Sequence, residues 1–202
     1  MLYIFHGEDD FSRAEALKEL EASFGPQELL ATNTTLLEGA ELTLEQLAAV
    51  CNTVPFLAEH RLVIVGGLLS RWGGKERRAR RRPGSEKQAS ANLGEWAGAA
   101  ETIKAMPDTT VLVLTDGALD RGNSLLKLLA PLGQVKEFVP LRGLRLHSWI
   151  QARVARSGGA ISPAAVRLLA NVAGGSLWAL AGEIEKLCLY AQGQPVDDED
   201  VA

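Results

Sequence analysis

Three short, unbroken apolar runs constrain this chain more than any other feature of its sequence. Leu2-Tyr3-Ile4-Phe5-His6 ends at Gly7, Arg61-Leu62-Val63-Ile64-Val65 ends at Gly66-Gly67, and Thr109-Thr110-Val111-Leu112-Val113-Leu114 is rich in β-branched residues. Runs this short and this continuous belong to strands buried on both faces, not to strands with one wet face. Two weaker segments read simply as strands: Thr34-Thr35-Leu36-Leu37, and Gln134 to Val139 ahead of Pro140. Helical spacing fills the gaps. Phe11, Ala14, Leu17, Leu20 and Phe24 follow the acidic Glu8-Asp9-Asp10, which suits the positive end of a helix dipole. Thr43 caps a helix whose Leu44, Leu47, Ala48 and Cys51 share one face, so Cys51 is expected in the core. Asn52-Thr53-Val54-Pro55 ends that helix, because the residue before a proline resists the α region. Gln88 to Ala105 and Asn123 to Leu129 read as further helices. Strands alternating with helices predict an α/β domain built on a parallel sheet covered on both faces.

The remainder changes character. Leu146, Trp149, Ile150 and Val154 mark one helix. Ser162-Pro163 opens a second, which carries Val166, Leu169 and Ala173 and stops at Gly174-Gly175. Ser176 caps a third, with Leu177, Leu180, Ile184 and Leu187 inward. Three short helices without a strand predict a small bundle, which places domains at 1–141 and 142–202. Trp149 and Trp178 fall on apolar helix faces and are expected in the core. Trp72 and Trp96 are either core or available to stack on a base.

With 47% hydrophobic residues the chain is not a disordered tail, and no apolar run approaches the roughly 20 residues of a membrane span. No basic-then-apolar leader precedes Glu8, so a soluble, cytoplasmic protein is expected. The net charge of −4 hides a strong asymmetry. Between Arg71 and Arg82 stand seven positive residues (Arg71, Lys75, Arg77, Arg78, Arg80, Arg81, Arg82) and one negative, Glu76, a local +6 against −10 elsewhere. Such a block cannot pack into a core, so a mobile, solvated excursion from Trp72 to Gln88 is expected. Either it only maintains solubility, or Arg77, Arg78, Arg80, Arg81 and Arg82 contact nucleic acid by neutralising phosphates.

An α/β domain followed by a helical bundle suggests a nucleotide-driven ATPase, which needs a glycine-rich loop after the first strand with Lys and Ser/Thr at its end. Here that position reads His6-Gly7-Glu8-Asp9-Asp10-Phe11-Ser12: one glycine, no lysine, and three carboxylates where phosphates would lie. Gly73-Gly74-Lys75 imitates a phosphate loop, but Glu76 replaces Ser/Thr and Leu69 replaces the first glycine. His6, His60 and His147 lie on separate elements, Cys51 and Cys188 have no metal or redox spacing, and no G-x-S-x-G elbow occurs. No catalytic, cofactor-binding or metal site is legible. The reading is a scaffold or interaction protein.

Several segments carry a resemblance. Tyr3-Ile4-Phe5-His6-Gly7-Glu8-Asp9-Asp10-Phe11, Val54-Pro55-Phe56-Leu57-Ala58-Glu59-His60-Arg61-Leu62-Val63 and Gly122-Asn123-Ser124-Leu125-Leu126-Lys127 come first. Ile161-Ser162-Pro163, Gly175-Ser176-Leu177, Glu183-Ile184-Glu185-Lys186-Leu187, Leu189-Tyr190 and Glu199-Asp200-Val201 follow in order. The series resembles the delta subunit of the bacterial DNA polymerase III clamp loader over nearly all of residues 2–202.

The resemblance implies an AAA+-type fold with a degenerate nucleotide site and no bound cofactor. It implies a clamp-binding α/β domain, a helical lid-like domain, and a helical collar domain expected beyond the end of this chain, which would make the chain a fragment. It also implies a non-catalytic subunit that binds the sliding clamp (the beta subunit) and opens its ring for loading onto primed DNA in replication. The other partners would be the ATPase subunits and delta prime. Through membership of the DNA polymerase III holoenzyme, the subunit would count with a DNA-directed DNA polymerase, a nucleotidyltransferase. An apolar pair inserts into the clamp, and the matching positions are Phe56 and Leu57, where Phe-Leu replaces the Leu-Phe or Phe-Phe of many relatives. The structural alternative is that both residues close the preceding helix end as core. Two other functions stay open: a nucleotide-binding AAA+ ATPase, and a nucleic-acid-binding module acting through residues 71–87.

Overall fold

A computed structural model describes residues 1–72, 93–172 and 175–201 of the chain. It divides into two compact units, Met1–Phe138 and Val139–Ala202. Arg77, Arg78, Arg80, Arg81 and Arg82, the expected excursion beyond Trp72, the false phosphate loop at 73–75, Ala173 and Gly174 lie outside the described residues.

The first unit is a five-stranded sheet of β1 (Leu2–His6), β2 (Thr34–Glu38), β3 (Arg61–Gly66), β4 (Thr110–Asp116) and β5 (Gln134–Glu137). Their order is β2-β3-β4-β1-β5 and every pairing is parallel. The register sets Leu2 beside Leu112, Ile4 beside Leu114, and Leu62 beside Val111.

Because successive side chains point to opposite faces, each continuous apolar run feeds two cores at once. Leu2, Ile4, Val63, Val65, Leu112 and Leu114 face one layer, with Leu47, Cys51, Trp96, Leu125 and Leu129 packed there. Phe5, Leu62, Ile64, Val111 and Val113 face the other, where Phe138, Leu17, Leu20 and Phe24 pack. The two edge strands differ from these. β5 is exposed at every position, and its Lys136 and Glu137 make it a poor template for a foreign strand.

The connecting helices are α1 (Asp10–Ala22), α2 (Gln27–Asn33), α3 (Leu44–Cys51), α4 (Ala99–Lys104) and α5 (Ser124–Leu129). The acidic turn caps α1 as expected: the Asp9 carboxylate accepts the Ser12 N–H at 2.9 Å. Thr43 and Gln46 form a reciprocal capping box on α3. Asn123 caps α5 by accepting the Leu126 N–H.

Three expectations change. Phe24 lies beyond the end of α1, past its C-cap Ser23, although it still packs on the sheet. The helix expected over 88–105 is a 3-10 turn, Gly94–Gly98, leading into the shorter α4, because Gly94 at φ 56° and Gly98 at the N-cap interrupt α geometry; residues 88–92 lie outside the described set. Helix α2 was not expected at all. It has seven residues and only Leu30 in the core, so no apolar periodicity announces it.

The second unit contains α6 (Leu144–Arg156), α7 (Pro163–Val172), α8 (Leu177–Ala191) and a short α9 (Asp198–Val201). Leu146, Ile150 and Val154 of α6, Val166 and Leu169 of α7, and Leu180 and Ile184 of α8 form its interior. Ser162 caps α7 by accepting the Ala165 N–H at 3.2 Å. The bundle is not free of β pairing, because Ile161 and Val196 form a parallel bridge whose Val196 is 1% exposed. Trp178 is a second correction: at 53% exposed it is not core. It sits at the second position of α8, one residue after buried Leu177, and a 100° step turns it off the buried face. Trp149 is half-buried, with the Arg153 guanidinium 6.0 Å from its ring centre.

Candidate functional site

The turn between β1 and α1 is where an α/β domain of this kind would hold a phosphate, and here four of its amide donors are bonded within the protein. The Gly7 N–H donates to the Gly117 carbonyl at 2.9 Å, the Asp9 N–H to the Phe138 carbonyl at 3.1 Å, and the Asp10 N–H to the Glu8 carbonyl at 3.1 Å. The Ser12 N–H is capped by Asp9, and the Arg13 guanidinium donates to the Gly7 carbonyl. Gly7 has φ 134°, and a Cβ on it would stand 2.0 Å from the Phe138 carbonyl oxygen, so the turn is pressed against the chain leaving β5. Anion binding at such a turn needs several free amides pointing at one point. This one offers three carboxylates instead.

Beyond the carboxyl ends of β3 and β4 lies a buried polar network. The Asp116 carboxylate, 4% exposed, accepts from the Leu69 N–H at 2.7 Å, the Ser70 N–H at 3.3 Å and the Ser70 hydroxyl. The Asn123 amide, 1% exposed, donates to the Leu69 carbonyl at 2.8 Å. Together they fix the short 3-10 turn Leu69–Trp72, from which the basic segment departs.

Arg71, the first of its seven cations, donates to the carbonyls of Gly39 (3.1 Å) and Leu42 (2.8 Å). Its guanidinium lies 4.9 Å from the Trp72 ring centre and 5.8 Å from that of Trp96. Arg71 is therefore an anchor of the fold, and Trp96, 1% exposed, is core and not a base-stacking platform. Cys51 is inert core as expected: burial pushes its thiol up to about 11. Among the described residues no group of three His, Cys, Asp or Glu could hold a metal, and no helix is long and apolar enough to cross a membrane.

The surface feature that packing does not explain lies between α3 and β3. Val54 is 80% exposed, Phe56 64% and Leu57 77%, so the pair is not the core plug of the helix end that the structural alternative required. Leu57 has φ 53°, a left-handed conformation that costs a γ-branched residue roughly 1–2 kcal/mol. The segment is nevertheless tied down at both ends. Asn33 bonds the Phe56 backbone, and the His60 ring meets Phe24 edge-on at 5.2 Å. Leu57 and Ala58 border a groove of mixed polar and apolar character that Phe24, Pro26, Leu29, Leu30 and Glu59 also line. Asn33 and α2 were missed by sequence reasoning. The one available signal was Gly25-Pro26 ahead of Leu29-Leu30, a turn opening a short helix.

A five-stranded parallel sheet of this order with helices packed on its faces defines an α/β fold similar to that of AAA+ proteins. Residues 3–139 match the family described as DNA polymerase III, delta subunit, and the chain belongs to that family. Among solved structures, the Bacillus subtilis DNA clamp loader delta protein superposes with a TM-score of 0.71 at 23% identity, over 99% of this chain and 56% of that one. The chain thus spans little more than half the length of that protein. The Thermotoga maritima RuvB Holliday junction branch migration motor shares the fold with a TM-score of 0.51 and 12% identity, over 98% of this chain and 59% of that one. No curated protein sequence matches the chain.

Proposed function

We propose that the chain is a non-catalytic clamp-loader subunit that binds the DNA sliding clamp and holds its ring open for loading onto primed DNA during replication. Its partners on this reading are the clamp, the ATPase subunits and delta prime, within a cytoplasmic DNA polymerase III assembly. The observation that carries the reading is the adjacent pair Phe56 and Leu57, 64% and 77% exposed on a segment whose backbone is fixed. Large apolar side chains displayed side by side at the surface indicate a partner surface. Burying each in a clamp pocket is worth roughly 1.5–3 kcal/mol, enough to make both hot spots.

The test is the double substitution Phe56→Ser with Leu57→Ser, measured against the purified sliding clamp. Clamp binding should be abolished while the melting temperature stays within a few degrees, since neither side chain is packed. Unchanged binding, or unfolding of the variant, would show that the pair is not the anchor.

A further inference from the structure

An exposed pair can serve as an anchor only if something aims it, and the side chains of Phe56 and Leu57 do little to hold themselves in place. The holding group is Asn33, at the junction where α2 gives way to β2, and 1% exposed. Its Oδ1 accepts the Phe56 N–H at 2.6 Å. Its Nδ2 donates to the Phe56 carbonyl at 2.9 Å and to the Leu29 carbonyl at 2.8 Å. One side chain thus offers Phe56 the donor and acceptor that a neighbouring strand would offer, across 23 positions of sequence. The next residue, Leu57, is the one held at φ 53°. Burial alone would require only that Asn33 find some partners. Two of its three bonds go instead to the backbone of the residue that carries the exposed ring.

We propose that Asn33 is a positioning residue for the apolar pair: by clamping both polar groups of the Phe56 backbone it fixes the segment so that Phe56 and Leu57 project together from the surface. This rests on the reading of the pair as the clamp anchor. Fixing a binding segment before contact removes the ordering cost from association, so losing the clamp lowers affinity without touching any contact atom.

The experiment compares Asn33→Ala, Phe56→Ser/Leu57→Ser and the unmodified chain. It measures affinity for the purified sliding clamp, the unfolding midpoint, and amide hydrogen exchange at Phe56. In the unmodified chain the Phe56 amide should exchange slowly. In Asn33→Ala it should exchange freely, and clamp affinity of the folded protein should fall about tenfold. A purely structural Asn33 would lower the midpoint and leave the affinity of the folded chain unchanged, which would overturn the inference.

If Phe56→Ser/Leu57→Ser binds the clamp like the unmodified chain, the anchor reading fails, and this inference fails with it. If that variant loses binding while Asn33→Ala binds normally, only the positioning role fails. Should Asn33→Ala not fold, the unmodified chain decides: slow exchange at Phe56 supports the clamp, and free exchange overturns it.

Discussion

Gly7 sets how closely the chain after β1 can approach the chain after β5. Its φ of 134° disfavours any L side chain, and an added Cβ would lie 2.0, 2.6 and 2.7 Å from backbone atoms of Phe138. Backbone cannot step aside as a flexible side chain can. Gly7→Ala should therefore destabilise the fold by at least about 3 kcal/mol, read from the denaturant midpoint. Gly25→Ala is the control, because Gly25 has a similar φ of 140° but nothing within 4 Å of the added carbon. It should cost no more than the strain, about 1–3 kcal/mol. Equal losses at the two sites would mean that the Phe138 contact is not what matters. Single residues differ in how far the sequence reveals them. Cys51 was legible because its helix face is defined by neighbours three, four and seven residues away. For Trp178 and Trp96 local spacing does not separate core from surface, because the difference there depends on which element lies opposite.

At the scale of elements, the strand, turn and helix from Leu2 to Ala22 act as one unit, with two turn amides bonded inside it and two bonded to the chain that follows β4 and β5. Four amides of the turn are bonded within the protein, and Glu8, Asp9 and Asp10 would oppose a triphosphate. Purified protein should show no saturable heat of ATP or ADP binding in the presence of magnesium; saturable binding would restore the ATPase reading. The charge of this unit and its missing lysine are legible in the sequence because they are local, whereas the Gly117 and Phe138 acceptors of its amides are not. Helix α2 was invisible for the opposite reason. A seven-residue helix with one buried apolar residue has no repeat to detect, and it exists because Leu30 and Asn33 find partners elsewhere in the fold. The rest of the candidate site was half legible. Val54-Pro55 marked the end of α3, but nothing local could tell whether Phe56 and Leu57 turn inward or outward.

Over the whole molecule, a net charge of −4 divides into a basic block and an acidic remainder. If Arg77, Arg78, Arg80, Arg81 and Arg82 meet phosphates, retention of the chain on DNA should fall steeply with salt, and replacing all five with Ser should flatten that dependence. Retention that is weak and unaffected by the replacement would leave the block a solubility device. The sequence by itself determined that the chain holds buried strands separated by helices, because burial on both faces writes an unbroken apolar run into each of the three central strands, β1, β3 and β4. It also wrote three carboxylates and no lysine into the first turn. Only the tertiary structure decided the strand order β2-β3-β4-β1-β5, the outward display of Phe56 and Leu57, and the grip of Asn33 on Phe56. The physical reason is separation: the N-terminal ammonium of Met1 bonds the Thr110 carbonyl across 109 positions, and Asn33 reaches Phe56 across 23. A local pattern states that a group needs a partner, whereas the partner is chosen by how the whole chain closes.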